Sequence, residues 1–231
     1  VVGWTLVMRE PARPTTGRLR IPWGEAVALA GVGAAGMLLV QLERLVIPHV
    51  LPIADLALFG VLAAIAGSVF RVLQMGVNFS LLPRLRSAAT TLDRRLLLAQ
   101  ELRLAAAIAV AGAVAIFVLT PLIERWFLAG KYHLPASLLA AAVFGGVAKI
   151  AHAFAKATAT ALGTPRELAL VHGAGWGSAA LGIGTAAFGA HHFGLTGVVY
   201  GVGVGWLAWA VMSFVLVAHH LRLPASVPAR T

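Results

Sequence analysis

The chain has 231 residues, of which 60% are hydrophobic and 11% charged; it contains no cysteine and carries a formal charge of +10. So apolar a composition excludes an ordinary soluble domain and indicates an integral membrane protein. The missing cysteines exclude disulfide and thiolate chemistry.

Runs of predominantly apolar residues rich in Leu, Ala and Gly, without period-2 alternation, predict an all-α polytopic protein with six transmembrane helices, at about 24–50, 54–82, 97–123, 134–161, 165–190 and 194–221. Residues 1–22 read as the end of a preceding helix (VVGWTLVM) and a basic linker. Residues 23–222 form the six-helix lobe and 223–231 a tail. The opening lacks the basic region and cleavage site of a signal peptide, and its apolar start predicts a fragment of a longer chain.

The first span ends in VQLERLVIPHVLP, where Glu43 and Arg44 stand side by side in an otherwise lipid-compatible run. Adjacent residues on a helix point about 100° apart, so the two cannot face one spot. Pro48 has no amide hydrogen for the carbonyl of Arg44, so a bend is expected beside the pair, near the outer interface. Glu43 and Pro48 are accordingly candidates for a gate or a cation-coupling element, with an interfacial charge pair as the simpler reading.

In the second span Arg71, Gln74 and Asn78 fall at i, i+3 and i+7, on one helix face. After it, RLRSAATTLDRRLLLAQELRL (Arg84 to Leu104) mixes arginine pairs with leucines and predicts an amphipathic helix lying along the headgroups before the third span. The fourth span repeats the pattern of the second: Lys149, His152 and Lys156, extended by Thr160. A buried cation in a spanning helix asks for a partner or a hydrated path. The two stripes therefore predict a water-filled cavity suited to a phosphate or pyrophosphate; snorkelling of the long side chains to headgroups is the alternative.

Thr164-Pro165-Arg166-Glu167 is a capping box at the start of the fifth span, and Gly163 before it is expected to end the fourth span in a left-handed turn. Gly173 and Gly177, and the ladder Gly197, Gly201, Gly205, predict close helix packing. The adjacent pairs His191-His192 and His219-His220 lack the i, i+4 spacing of a helical metal site, so no metal or other cofactor is expected. No nucleophile-and-base pair stands out, which argues against an enzyme.

Lys and Arg in the links and at the span ends crowd one side: Arg9, Arg13, Arg18 and Arg20; Arg84, Arg86, Arg94, Arg95 and Arg103; Lys156 and Arg166; Arg222 and Arg230. Only Arg125 and Lys131 fall on the other. The positive-inside rule then places both ends in the cytoplasm, and the basic balance reads as topology rather than nucleic-acid binding.

Several runs together resemble a known family: Glu43-Arg44 late in the first span, LLPRL at Leu81 to Leu85, LAGKY at Leu128 to Tyr132, ATALGTPRE at Ala159 to Glu167, and FGLTG at Phe193 to Gly197. In order and spacing they resemble the C-terminal half of a polysaccharide flippase of the multidrug/oligosaccharidyl-lipid/polysaccharide exporter superfamily. That resemblance implies one lobe of a two-lobe exporter in the bacterial inner membrane, moving an anionic lipid-linked oligosaccharide by alternating access. Its partners would be the lipid-linked glycan phosphate, membrane lipids, and a missing N-terminal lobe or a second copy. Arg71, Lys149 and Arg44 would attract the phosphate. A drug/cation antiporter lobe, and a non-transporting scaffold subunit or degenerate half-gene, are the alternatives.

Overall fold

The computed structural model describes residues 23–126, 129 and 131–222, and side chains from residue 33 onward. The apolar opening, the first basic cluster, part of LAGKY and the tail from 223 lie outside the described residues. Every regular element described is helical: α1 Trp23–Val50, α2 Ile53–Ser87, α3 Thr91–Trp126, α4 Ala136–Leu162 and α5 Pro165–Val217, closed by a 3-10 turn at Ala218–Leu221. Four of them, α2, α3, α4 and α5 with its closing turn, are long and apolar enough to cross a membrane. Large apolar side chains lie bare on their outer faces, among them Val72 (72% exposed), Phe79 (75%) and Trp126 (77%). That is the surface expected against lipid.

The α5 segment is 53 residues long, about 80 Å if straight at 1.5 Å per residue, yet it is two antiparallel arms. The chain reverses at Gly194, whose φ of 58° and ψ of −141° lie where only glycine sits without strain. The arms then meet through small residues. A Cβ on Gly197 would run into the backbone of Gly189, one on Gly201 into Thr185 and Ala186, and one on Gly205 would come within 2.9 Å of Gly182. The ladder predicted in the last span is thus the seam of this hairpin. The Thr185 hydroxyl crosses it to donate to the Gly201 carbonyl at 2.8 Å.

Gly173 and Gly177 depart from expectation: a Cβ on either would meet nothing within 4 Å. The inner face of that arm is set instead by Gly175, Gly182 and Gly189, seven residues apart. Gly175 lies against the Trp209 ring and Gly182 against Leu39 and Leu42 of α1.

The centre of the bundle is α4, which packs on α5 to one side and α2 to the other, while α1 packs on α5. Gly146 admits the Phe70 ring of α2, and Gly203 of α5 admits Phe144 of α4. These two glycine seats bring α2 and α5 close to opposite flanks of α4. By contrast α3 is peripheral, burying one stripe of Ala105, Ala109, Ile116 and Thr120.

Two local expectations are corrected. The link after α2 is three residues long, not a headgroup helix: α2 runs on to Ser87 and α3 starts at Thr91. Thr90 caps it, its hydroxyl accepting from the Asp93 amide at 3.1 Å while Asp93 Oδ2 accepts the Thr90 amide at 3.1 Å. The helix so nucleated continues for 36 residues, about 54 Å against a hydrocarbon core of about 30 Å, so its arginine-rich turns project beyond the apolar layer. Glu101 pairs with Arg84 across the link. The second correction is Gly163, which is extended (φ −73°, ψ 148°) rather than left-handed. Close approach favours glycine there, since a Cβ would lie 2.6 Å from the Ala159 carbonyl oxygen. The neighbouring capping box forms as expected, with Thr164 Oγ1 accepting from the Glu167 amide and Glu167 from the Thr164 amide.

Contacts gather the basic links at one end. Arg86 donates to the Thr160 carbonyl near the end of α4 at 3.3 Å. Arg95 of α3 donates to the Leu221 carbonyl, and His220 meets Glu167 at 2.9 Å.

Candidate functional site

Two adjoining cavities open between α1, α2, α4 and α5. The smaller, about 150 Å³, is lined by Glu43, Arg44, Arg71, Gln74 and Lys149, with Phe59 and Phe70 behind them. The larger, about 400 Å³, is lined by Asn78, His152, Lys156, Thr160, His172, Trp206 and Trp209. Val40, Gln41 and Gln74 border both, so the two form one cleft. A water occupies about 30 Å³ of liquid, so both chambers have room for several.

Each predicted stripe residue borders this cleft. Arg71, Gln74 and Asn78 descend one face of α2, and Lys149, His152 and Lys156 descend the facing side of α4, as their common spacing requires. The cleft holds four cations, Arg44, Arg71, Lys149 and Lys156, and one carboxylate, Glu43, for a net charge of +3 with histidines neutral. With low-dielectric walls around it, that excess favours an anion.

Glu43 is placed differently from expectation. It is buried, its side chain 6% exposed, and its Oε1 lies 3.5 Å from Nζ of Lys149, the fourteenth of the 27 residues of α4. The carboxylate is therefore inside the bundle and joined to the cationic stripe, not at an outer rim. The helix runs through Pro48 to Val50, and His49 Nδ1 lies 2.7 Å from the Leu45 carbonyl oxygen. Arg44, expected to diverge from its neighbour, borders the same chamber as Glu43 and meets Gln41 Oε1 at 3.5 Å. Among the described residues neither Arg71 nor Lys156 has a carboxylate within 4.0 Å. Arg44 has none either but meets the Gln41 side chain, so Arg71 and Lys156 are, among the described residues, the two cleft cations with no side-chain partner.

The floor of the larger chamber is aromatic. His152 packs against both Trp206 and Trp209, ring centroids 5.2 and 4.2 Å away, and the two indoles stack on each other at 6.0 Å with 24° between planes. The Trp209 Nε1 donates to the Val171 carbonyl at 2.9 Å, tying the arms of α5 together. His152 Nδ1 and Trp206 Nε1 are buried with no partner, which is uncommon in a packed interior and leaves two polar groups for a ligand or water. Trp209→Phe removes the tie and is expected to cost about 1 kcal/mol in a detergent unfolding titration, the usual worth of one hydrogen bond.

Compared with known proteins, the chain matches no family model, no curated protein and no solved structure.

Sequence reasoning did not find Gln41, His172, Trp206 or Trp209. The tryptophans had a signal, since an i, i+3 pair shares one helix face, but on a glycine-rich span it reads as packing.

Proposed function

We propose that this chain is one lobe of a flippase-type exporter that moves an anionic lipid-linked oligosaccharide across the bacterial inner membrane. The observation that carries the reading is the cationic cleft: four basic side chains and one buried carboxylate around a chamber with a tryptophan floor, in a bundle of lipid-crossing helices. In this reading α1, α2, α3, α4 and the two arms of α5 make six spans. The arginine-rich end faces the cytoplasm by the positive-inside rule.

Each part has a role. Arg71 and Lys156, free of protein carboxylates, take the phosphate or pyrophosphate through charge-assisted hydrogen bonds. Trp206 and Trp209 give a flat apolar face for the first sugar, and the polyprenyl tail stays in lipid beyond the exposed Met37 and Val40. A phosphate competing for Lys149 releases Glu43, which then takes a proton or cation. The carboxylate is thereby a coupling element rather than a gate. Alternating access requires a facing lobe, either an N-terminal half or a second copy. The buried Glu43 also suits a cation antiporter, but four surrounding cations repel a cationic cargo.

Binding of a polyprenyl diphosphate sugar, followed by native mass spectrometry of the detergent-solubilised protein, tests this. Arg71→Ala with Lys156→Ala is expected to weaken binding about 100-fold, from two lost charged hydrogen bonds of about 1.5 kcal/mol or more each. Unchanged binding would count against the cleft as the cargo site and favour a non-transporting scaffold.

A further inference from the structure

The two ends of the α5 hairpin meet in a cluster that transport does not use. We propose that Glu167, His219 and His220 form a binding site for a divalent transition metal, with Zn2+ the best match, which clasps the hairpin shut at the basic end of the bundle. The inference does not depend on the cargo reading.

The sequence argued against a metal here, because adjacent histidines on a helix diverge. The structure removes that objection. The chain leaves the α-helix at Val217 (φ −110°, ψ −3°) for a 3-10 turn, and the two rings lie 3.9 Å apart, centroid to centroid. The carboxylate absent from the local sequence arrives from the other arm. His219 Nε2 is 3.2 Å from Glu167 Oε1 and His220 Nε2 is 2.9 Å from Oε2. One ligand atom from each of the three residues can be chosen with all of them within 4.8 Å of one another. A tetrahedral Zn2+ holds its ligands about 2.0–2.1 Å away and hence about 3.3 Å from each other, so the ion enters with little movement.

The carboxylate divides its work. Oε2 accepts the Thr164 amide at 2.7 Å and hydroxyl at 2.9 Å as the helix cap and also meets His220, while Oε1 faces His219 alone. The turn is pinned by the Arg222 amide on the His219 carbonyl (3.1 Å) and by Arg95 on the Leu221 carbonyl. Exposure of 53% for the His219 side chain and 27% for His220 leaves an entry path. Imidazole and carboxylate donors suit Zn2+, Co2+ or Ni2+ rather than Mg2+ or Ca2+. Three protein ligands leave a fourth position for water.

The test is a Co2+ titration of the full chain, purified in detergent without a polyhistidine tag, reading the visible absorption of a tetrahedral centre, followed by Zn2+ displacement. Wild type is expected to take up one equivalent and to melt at higher temperature with Zn2+. His219→Ala with His220→Ala abolishes both effects. Glu167→Gln, which keeps an acceptor for the cap, weakens uptake about 10-fold or more. His191→Ala with His192→Ala changes neither. Absence of a tetrahedral spectrum in wild type, or a spectrum that survives the His219/His220 change, would overturn the proposal and leave a clasp held by hydrogen bonds alone. If the double variant does not fold, Glu167→Gln binding Co2+ as tightly as wild type overturns it equally.

Discussion

Lys149→Ala will destabilise the bundle by about 3 kcal/mol, although it removes a cation from an apolar environment. The reason is Glu43, whose side chain is 6% exposed and which then keeps a charge with no partner at 3.5 Å. The lower end of the usual range applies because Lys149 is itself 30% exposed and its loss admits some water. Glu43→Leu together with Lys149→Met is expected to recover most of the loss, since a buried ion pair replaced by apolar groups of similar volume is near neutral. Unfolding of wild type, Glu43→Leu, Lys149→Met and the double variant in mixed micelles gives the coupling directly. If the two single losses simply add in the double variant, the pair does not exist in the folded protein. Transport defects of Lys149 variants therefore need a stability control, which the Arg71 and Lys156 variants need less.

The second large effect lies in the hairpin seam. Gly197→Ala and Gly201→Ala each drive a methyl group into the backbone of the opposite arm, at Gly189 and at Thr185–Ala186, where no side chain can move aside. Overpacking of this kind costs about 3 kcal/mol or more when only backbone shifts relieve it. Gly173→Ala and Gly177→Ala, with open space around the new methyl, are expected to be neutral or to stabilise by up to about 1 kcal/mol through helix propensity. Thermal aggregation of the four variants ranks them, and equal behaviour at Gly197 and Gly173 would refute the seam.

The helical class is legible because lipid-crossing helices need long apolar runs, and the capping box at Thr164 because both its partners are local. The cationic stripes are legible too, since i, i+3, i+7 spacing fixes a helix face whatever it packs against. Partnership across helices is not. Glu43 meets Lys149 only because Phe70 seats on Gly146 and α1 lies along α5, neither of which leaves a mark near Glu43. The arginine-rich link misleads because amphipathic spacing is the same whether a helix lies on a membrane or continues straight into it. Thr90 and Asp93 were the better local clue. Glycine spacing likewise permits close approach on several faces, and rotation of the arm, set by Gly175, Gly182 and Gly189, chooses which.

The proposed function requires the cleft to carry an anionic glycolipid across the bilayer. In proteoliposomes of the complete protein, with a lipid-linked oligosaccharide diphosphate supplied on one leaflet, wild type should expose the sugar on the opposite leaflet. Arg71→Ala with Lys156→Ala should insert normally and leave the sugar where it was supplied; translocation at the wild-type rate in that variant would contradict the account.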